Sequence, residues 1–193
     1  MNRLSANIGL VLLALLLTSC STHGEVASHD GSATASSPTR VPRHVDKSNR
    51  PQVTFDPCLD LPDAALVEAG YNPASEENAD FTPEEYTFLG CSYDTPQRLY
   101  GLNVLSGNIS FAEESQKAKE YAAPIDINGR PALLKWERGL PDACAVSVET
   151  AYGVLIIDRS VFKGTGMPAP EAEWCAGLED TARIFERYIP KEG

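Results

Sequence analysis

Apolar residues are spread unevenly along the chain. Residues 8–17 form an almost unbroken apolar run, and residues 21–50 have neither apolar periodicity nor an aromatic residue. From residue 51 onward, short periodic segments alternate with turn signals. Residues 61–70 read as a short helix, with Pro62 in the first turn and Gly70 just past the end. Residues 86–93 and 99–105 are aromatic and aliphatic runs around Asp94-Thr95-Pro96-Gln97, the pattern of a hairpin. Ser110-Phe111-Ala112-Glu113 matches a capping box and predicts a helix ending before Pro124. Asn128-Gly129 is a turn signal leading into a strand over 132–136, and 144–149 with 154–159 make a second hairpin about Ala151-Tyr152-Gly153. Trp174, Leu178, Ala182, Phe185 and Ile189 share one helical face and predict a long terminal helix. This order of elements predicts an α+β fold. Its largely antiparallel sheet has about five strands, with helices packed on one face.

The apolar run at the start carries an address rather than a fold. Met1-Asn2-Arg3 gives a short positive region, and the run that follows has roughly half the ~20 apolar residues a helix needs to cross a bilayer. It ends in Leu17-Thr18-Ser19-Cys20, which looks like the lipobox of bacterial lipoproteins. That likeness implies a signal peptide over 1–19, a diacylglyceryl group on the Cys20 sulfur, and Cys20 as the first mature residue. The expected location is the extracytoplasmic face of the cell membrane, with the lipid on Cys20 as the anchor.

Residues 20–50 are then expected to be a Ser/Thr/Pro-rich tether, since such a composition buries too little surface to offset its ordering entropy. The domain is assigned to 51–193. The tether takes Glu25, Asp30 and Asp46 from the 27 acidic residues, leaving the domain 24. It takes Arg40, Arg43, Lys47 and Arg50 from the basic ones, and the signal takes Arg3, leaving 11 of 16 and a net domain charge near −13. Nucleic acid is not an expected partner of so acidic a domain, because phosphate binding is driven by clustered Lys and Arg. Adhesion to anionic lipid by charge is excluded on the same ground. All three histidines, His23, His29 and His44, fall in the tether.

Four cysteines follow Cys20: Cys58, Cys91, Cys144 and Cys175. In an exported chain an even count reads as two disulfides, with three pairings open. Cys58 stands just ahead of the first helix and Cys91 in the first strand. Cys144 stands in a later strand and Cys175 in the terminal helix. The layout favours Cys58–Cys91 with Cys144–Cys175, and Cys58–Cys175 with Cys91–Cys144 is the alternative. A zinc site would need close C-x-x-C pairs or histidine partners, and the spacing provides neither.

Taken together, several short motifs resemble a family of actinobacterial envelope lipoproteins, DUF3558. They are Asp56-Pro57-Cys58, Gly90-Cys91-Ser92-Tyr93, Ile127-Asn128-Gly129-Arg130-Pro131-Ala132, Cys144-Ala145-Val146-Ser147-Val148 and Trp174-Cys175. Each is weak alone, but their order and the four-cysteine frame span about 53–190. The resemblance implies a membrane-anchored surface lipoprotein and brings no catalytic residues with it.

No cofactor, metal or catalytic residue is expected. Serine and cysteine nucleophiles commonly rely on a histidine base, and residues 51–193 contain none. Ser160-Val161-Phe162-Lys163 fits S-x-x-K, but it follows a strand and lacks the companion motifs. Glu76-Glu77, Asp80 and Glu84-Glu85 could bind Ca²⁺ or serve a glycosidase, yet the spacing reads better as a solvated acidic loop. Asn108-Ile109-Ser110 fits a glycosylation acceptor, but Ser110 is better used to cap the next helix. No phosphate-binding glycine loop is present. The expectation is therefore a non-enzymatic binding or accessory module with an envelope protein, glycan or lipid partner. The alternatives are an enzyme with an unrecognised carboxylate- or lysine-based site and a carrier of a small ligand or lipid.

Overall fold

A computed structural model describes residues 43–136, 143–161 and 171–191. Cys20, His23, His29, Lys163 and the expected signal peptide lie outside the described residues. Seven strands form one antiparallel sheet: β1 (Asn72–Asn78), β2 (Phe88–Asp94), β3 (Tyr100–Gly107), β4 (Ala122–Ile127), β5 (Arg130–Lys135), β6 (Ala143–Thr150) and β7 (Gly153–Val161). Their order is β1-β2-β3-β7-β6-β5-β4, so two meanders meet where β3 pairs with β7.

Both strands beyond the expected five sit at the edges. The Asn-Pro-Ala-Ser-Glu-Glu-Asn sequence of β1 faces mostly solvent, so it carries no apolar alternation to betray it. Pro124 lies inside β4, opposite Leu133. Proline is tolerated there because an edge strand can turn its missing N–H outward. The residue read as a helix stop is thus a strand residue, and α3 (Phe111–Ala118) ends a turn sooner. Its capping box is present: Ser110 accepts from the Glu113 amide, and the Glu113 carboxylate accepts from the Ser110 amide. The β4–β5 turn is the two-residue Asn128-Gly129 hairpin, with both residues at positive φ as this turn requires.

Alternation sorts the sheet into two faces. Leu89, Cys91 and Tyr93 of β2, Leu102 and Val104 of β3, Leu155 and Ile157 of β7, and Val146 and Val148 of β6 point to one side and form the core. Three short helices and one longer helix cover this side: α1 (Pro57–Asp60), α2 (Asp63–Glu68), α4 (Glu171–Trp174) and α5 (Leu178–Glu186). Leu178, Ala182 and Phe185 of α5 are fully buried, and Ile189 follows them into the core. The terminal helix is shorter than its periodicity predicts, because Gly177 adopts a left-handed conformation (φ 75°) and separates α4 from α5. Helix α3 does not share this side. Its Glu114 bonds Ser147 and Lys135, whose side chains alternate with the core residues and point the other way. The helices therefore lie on both faces, not on one.

Two disulfides fasten the covering layer to the sheet. Cys58 at α1 is joined to Cys91 of β2, and Cys144 of β6 to Cys175 beyond α4, each with Cα atoms 5.3 Å apart. Arg159, on the core face of β7 and opposite Cys144, donates to the carbonyls of Glu173, Trp174 and Ala176. A guanidinium there satisfies carbonyls that the end of a short helix leaves open.

The last eight residues of the expected tether belong to the domain. Arg43 reaches Asp56 (2.8 Å) and Asp80 (2.9 Å), and Arg50 makes a two-pronged contact with Glu113 at 2.7 and 2.8 Å. Between them Asp46 accepts from the Thr87 hydroxyl and the Asn108 amide, both buried, at 2.7 and 2.6 Å. The polar composition that argued for a tether is used here for paired contacts rather than for solvation.

Candidate binding face

Beside α3 on the second sheet face, where no other described helix lies, the described residues line a shallow groove of about 230 Å³. Leu105 of β3 and Ile156 of β7 form its apolar floor, Ala143 and Ala145 of β6 keep it low, and Tyr121 and Lys135 line its rim. The register explains the shape. Asn103, Asp158, Ala145 and Lys135 stand opposite one another across four strands, so the small Ala145 separates a carboxylate from an ammonium group.

The two charges are not equivalent. Lys135 is bound to Glu114, which also accepts from the Ser147 hydroxyl at 3.1 Å. Asp158 has a neutral hydrogen-bond partner, the Asn103 side-chain amide at 3.1 Å. Burial pushes the Asp158 carboxyl above its ordinary value, and the Asn103 bond and the Lys135 charge offset this only in part.

The residues singled out by sequence do not converge on this groove or on each other. Glu76 accepts from the Tyr93 hydroxyl, and Asp80 is occupied by Arg43, His44 and the Gly90 amide. The stretch read as a solvated loop is in part strand β1 and in part a clamp for the 43–50 segment. His44 is held beside Asp80, with Nε2 3.1 Å from Oδ2, on a half-exposed ring. Ser160 is the last residue but one of β7, and its S-x-x-K partner lies outside the described residues. Asn108 is buried and donates to Asp46, which removes it from the surface where a glycan would attach, while Ser110 caps α3. Cys58, Cys91 and Glu76 come within ligand distance of one another, but both sulfurs are spent in the disulfide. Sequence reasoning missed Asp158. Its only signal was a charge in an otherwise apolar strand, at a position whose face the alternation could assign.

Larger hollows of about 410 and 480 Å³ lie at the β1–β2 edge and beside the Asn128-Gly129 turn, and a third of about 420 Å³ lies between residues 45–47 and 82–84. The first two are lined chiefly by polar side chains, and all three open broadly to solvent. No helix among the described residues is long and apolar enough to cross a membrane.

Fold and site together define a class: an α+β protein with one antiparallel sheet, a disulfide-fastened helical layer on one face and an open groove on the other. The chain belongs to the protein family of unknown function DUF3558, whose model matches residues 15–187. No curated protein and no solved structure matches it.

Proposed function

We propose that this chain is a lipid-anchored module on the extracytoplasmic face of the cell membrane, attached through Cys20, whose domain acts by binding rather than by catalysis. The observation that carries the address is the apolar run closing at Cys20, whose end, from residue 15 on, falls within the same family match as the two-disulfide domain. Disulfides persist in exported proteins and are rare in reducing compartments.

The binding reading rests on the groove. Its floor is apolar and it holds one carboxylate, Asp158; the nearby Glu114 is already engaged by Lys135 and Ser147. Acid–base hydrolysis by carboxylates needs two that face one substrate. Carriage of a lipid would need an enclosing apolar cavity, whereas this groove of about 230 Å³ and the larger hollows all open broadly to solvent. A shallow groove on a rigid sheet suits part of a larger partner.

Two measurements test this. Replacing Cys20 with Ala should abolish palmitate labelling and release the protein from the membrane fraction; undiminished labelling of that variant would refute the anchor. Crosslinking of the anchored form in intact cells should yield a defined envelope partner, and turnover of an envelope substrate by the purified protein would refute the binding reading.

A further inference from the structure

From the groove's chemistry we infer that it receives a lysine or arginine side chain of a partner protein, whose cationic head meets Asp158 and whose methylene stem lies on Leu105 and Ile156. This deepens the binding reading above and rests on it.

Charge complementarity selects the occupant. Of the two charged groups in the groove, Lys135 is neutralised by Glu114, whereas Asp158 is bonded among the described residues to a neutral amide. An anionic or neutral partner would desolvate the carboxylate further, with only the Lys135 charge, already shared with Glu114, to offset it, which is costly. A basic side chain supplies the counter-charge and a charge-assisted hydrogen bond. Size selects a side chain over a free ligand, since the volume is below that of ordinary small-molecule sites. At longer range, a net charge near −11 over residues 43–193 (25 acidic against 14 basic) favours the approach of basic partners.

The test uses the full chain in detergent and two capped, fluorescein-labelled probes, tri-lysine and tri-arginine, titrated by fluorescence anisotropy at physiological salt. Binding should weaken about tenfold or more in Asp158→Asn, the scale of losing a hydrogen bond to a charged group. Ala145→Leu should weaken it comparably by raising the groove floor while leaving every charge in place. Glu77→Gln, on the exposed edge strand β1, should bind as the unaltered protein does, as should acetylated tri-lysine fail to bind any of them. Circular dichroism and thermal melting establish that each variant is folded. Equal affinity of Asp158→Asn and the unaltered protein would overturn the inference. So would loss in Asp158→Asn matched by Glu77→Gln, which would mean diffuse attraction to an acidic surface. If intact-cell crosslinking finds a partner while these probes do not discriminate, the groove assignment fails and the binding reading stands.

Discussion

Arg159 stands 7% exposed on the apolar face of β7, where an unpaired charge would be costly to hold. It is tolerated because its guanidinium reaches three backbone carbonyls at the end of α4 and lies over the Tyr100 ring, 4.9 Å from its centroid. Arg159→Ala should therefore lower stability by about 2–3 kcal/mol in urea denaturation, the range for losing bonds to a charged group. Arg159→Lys should recover only part of this, since an ammonium lacks the planar fork that meets several carbonyls at once. A loss under about 0.5 kcal/mol in the alanine variant would show that the carbonyls are satisfied another way. Nothing in the sequence marks this role, because backbone carbonyls have no residue signature. The Ser110–Glu113 capping box and the Asn128-Gly129 turn were legible for the opposite reason: both partners are close in sequence and of diagnostic type.

Among the elements, those with apolar alternation were readable and those without it were not. The β2–β3 and β6–β7 hairpins and the buried face of α5 follow from periodicity. The edge strands β1 and β4 do not, since an edge has too little burial to impose a pattern. The 43–50 segment was misread for a related reason, as its polar side chains find partners 13 to 63 residues away. That segment should be sensitive to acid. Arg50, together with Ser110, holds the Glu113 carboxyl down at about 2. Burial pushes Asp46 up, but bonds from Ser48, Thr87 and Asn108 outweigh it and hold that carboxyl well below the usual range. Carboxyls depressed in the folded state contribute stability above their unfolded values near 4 and lose it as pH falls toward their folded ones. Stability should decline between about pH 4.5 and 2, and Glu113→Gln should flatten part of that decline. The flattened part will be modest, because Glu113 is 38% exposed and its ion pair is screened. A decline of the same size in the variant would assign the acid sensitivity to other groups.

For the whole molecule, the two disulfides decide where the fold can persist. They close loops of nearly equal separation, 33 and 31 residues, yet tie down different parts: α1 to β2 in one case, the approach to α5 to β6 in the other. The chain-entropy account assigns each about 3–4 kcal/mol, and loop length gives little reason for them to differ. Cys58→Ala/Cys91→Ala and Cys144→Ala/Cys175→Ala should each lower the melting temperature by about 10 °C, taking 2–4 °C per kcal/mol for a domain of this size. Unequal effects would show that native packing, and not the unfolded chain, sets the contribution. The second bond is the sharper case, since α5 brings Leu178, Ala182 and Phe185 to the core and its loss threatens that layer too. Removing both bonds should take away about 6–8 kcal/mol, comparable with the 5–15 kcal/mol by which whole domains are stable. A doubly reduced domain that melts cooperatively near the oxidised temperature would break the link between this fold and an oxidising compartment. A collapse on reduction would make an oxidising environment a condition of folding for this domain.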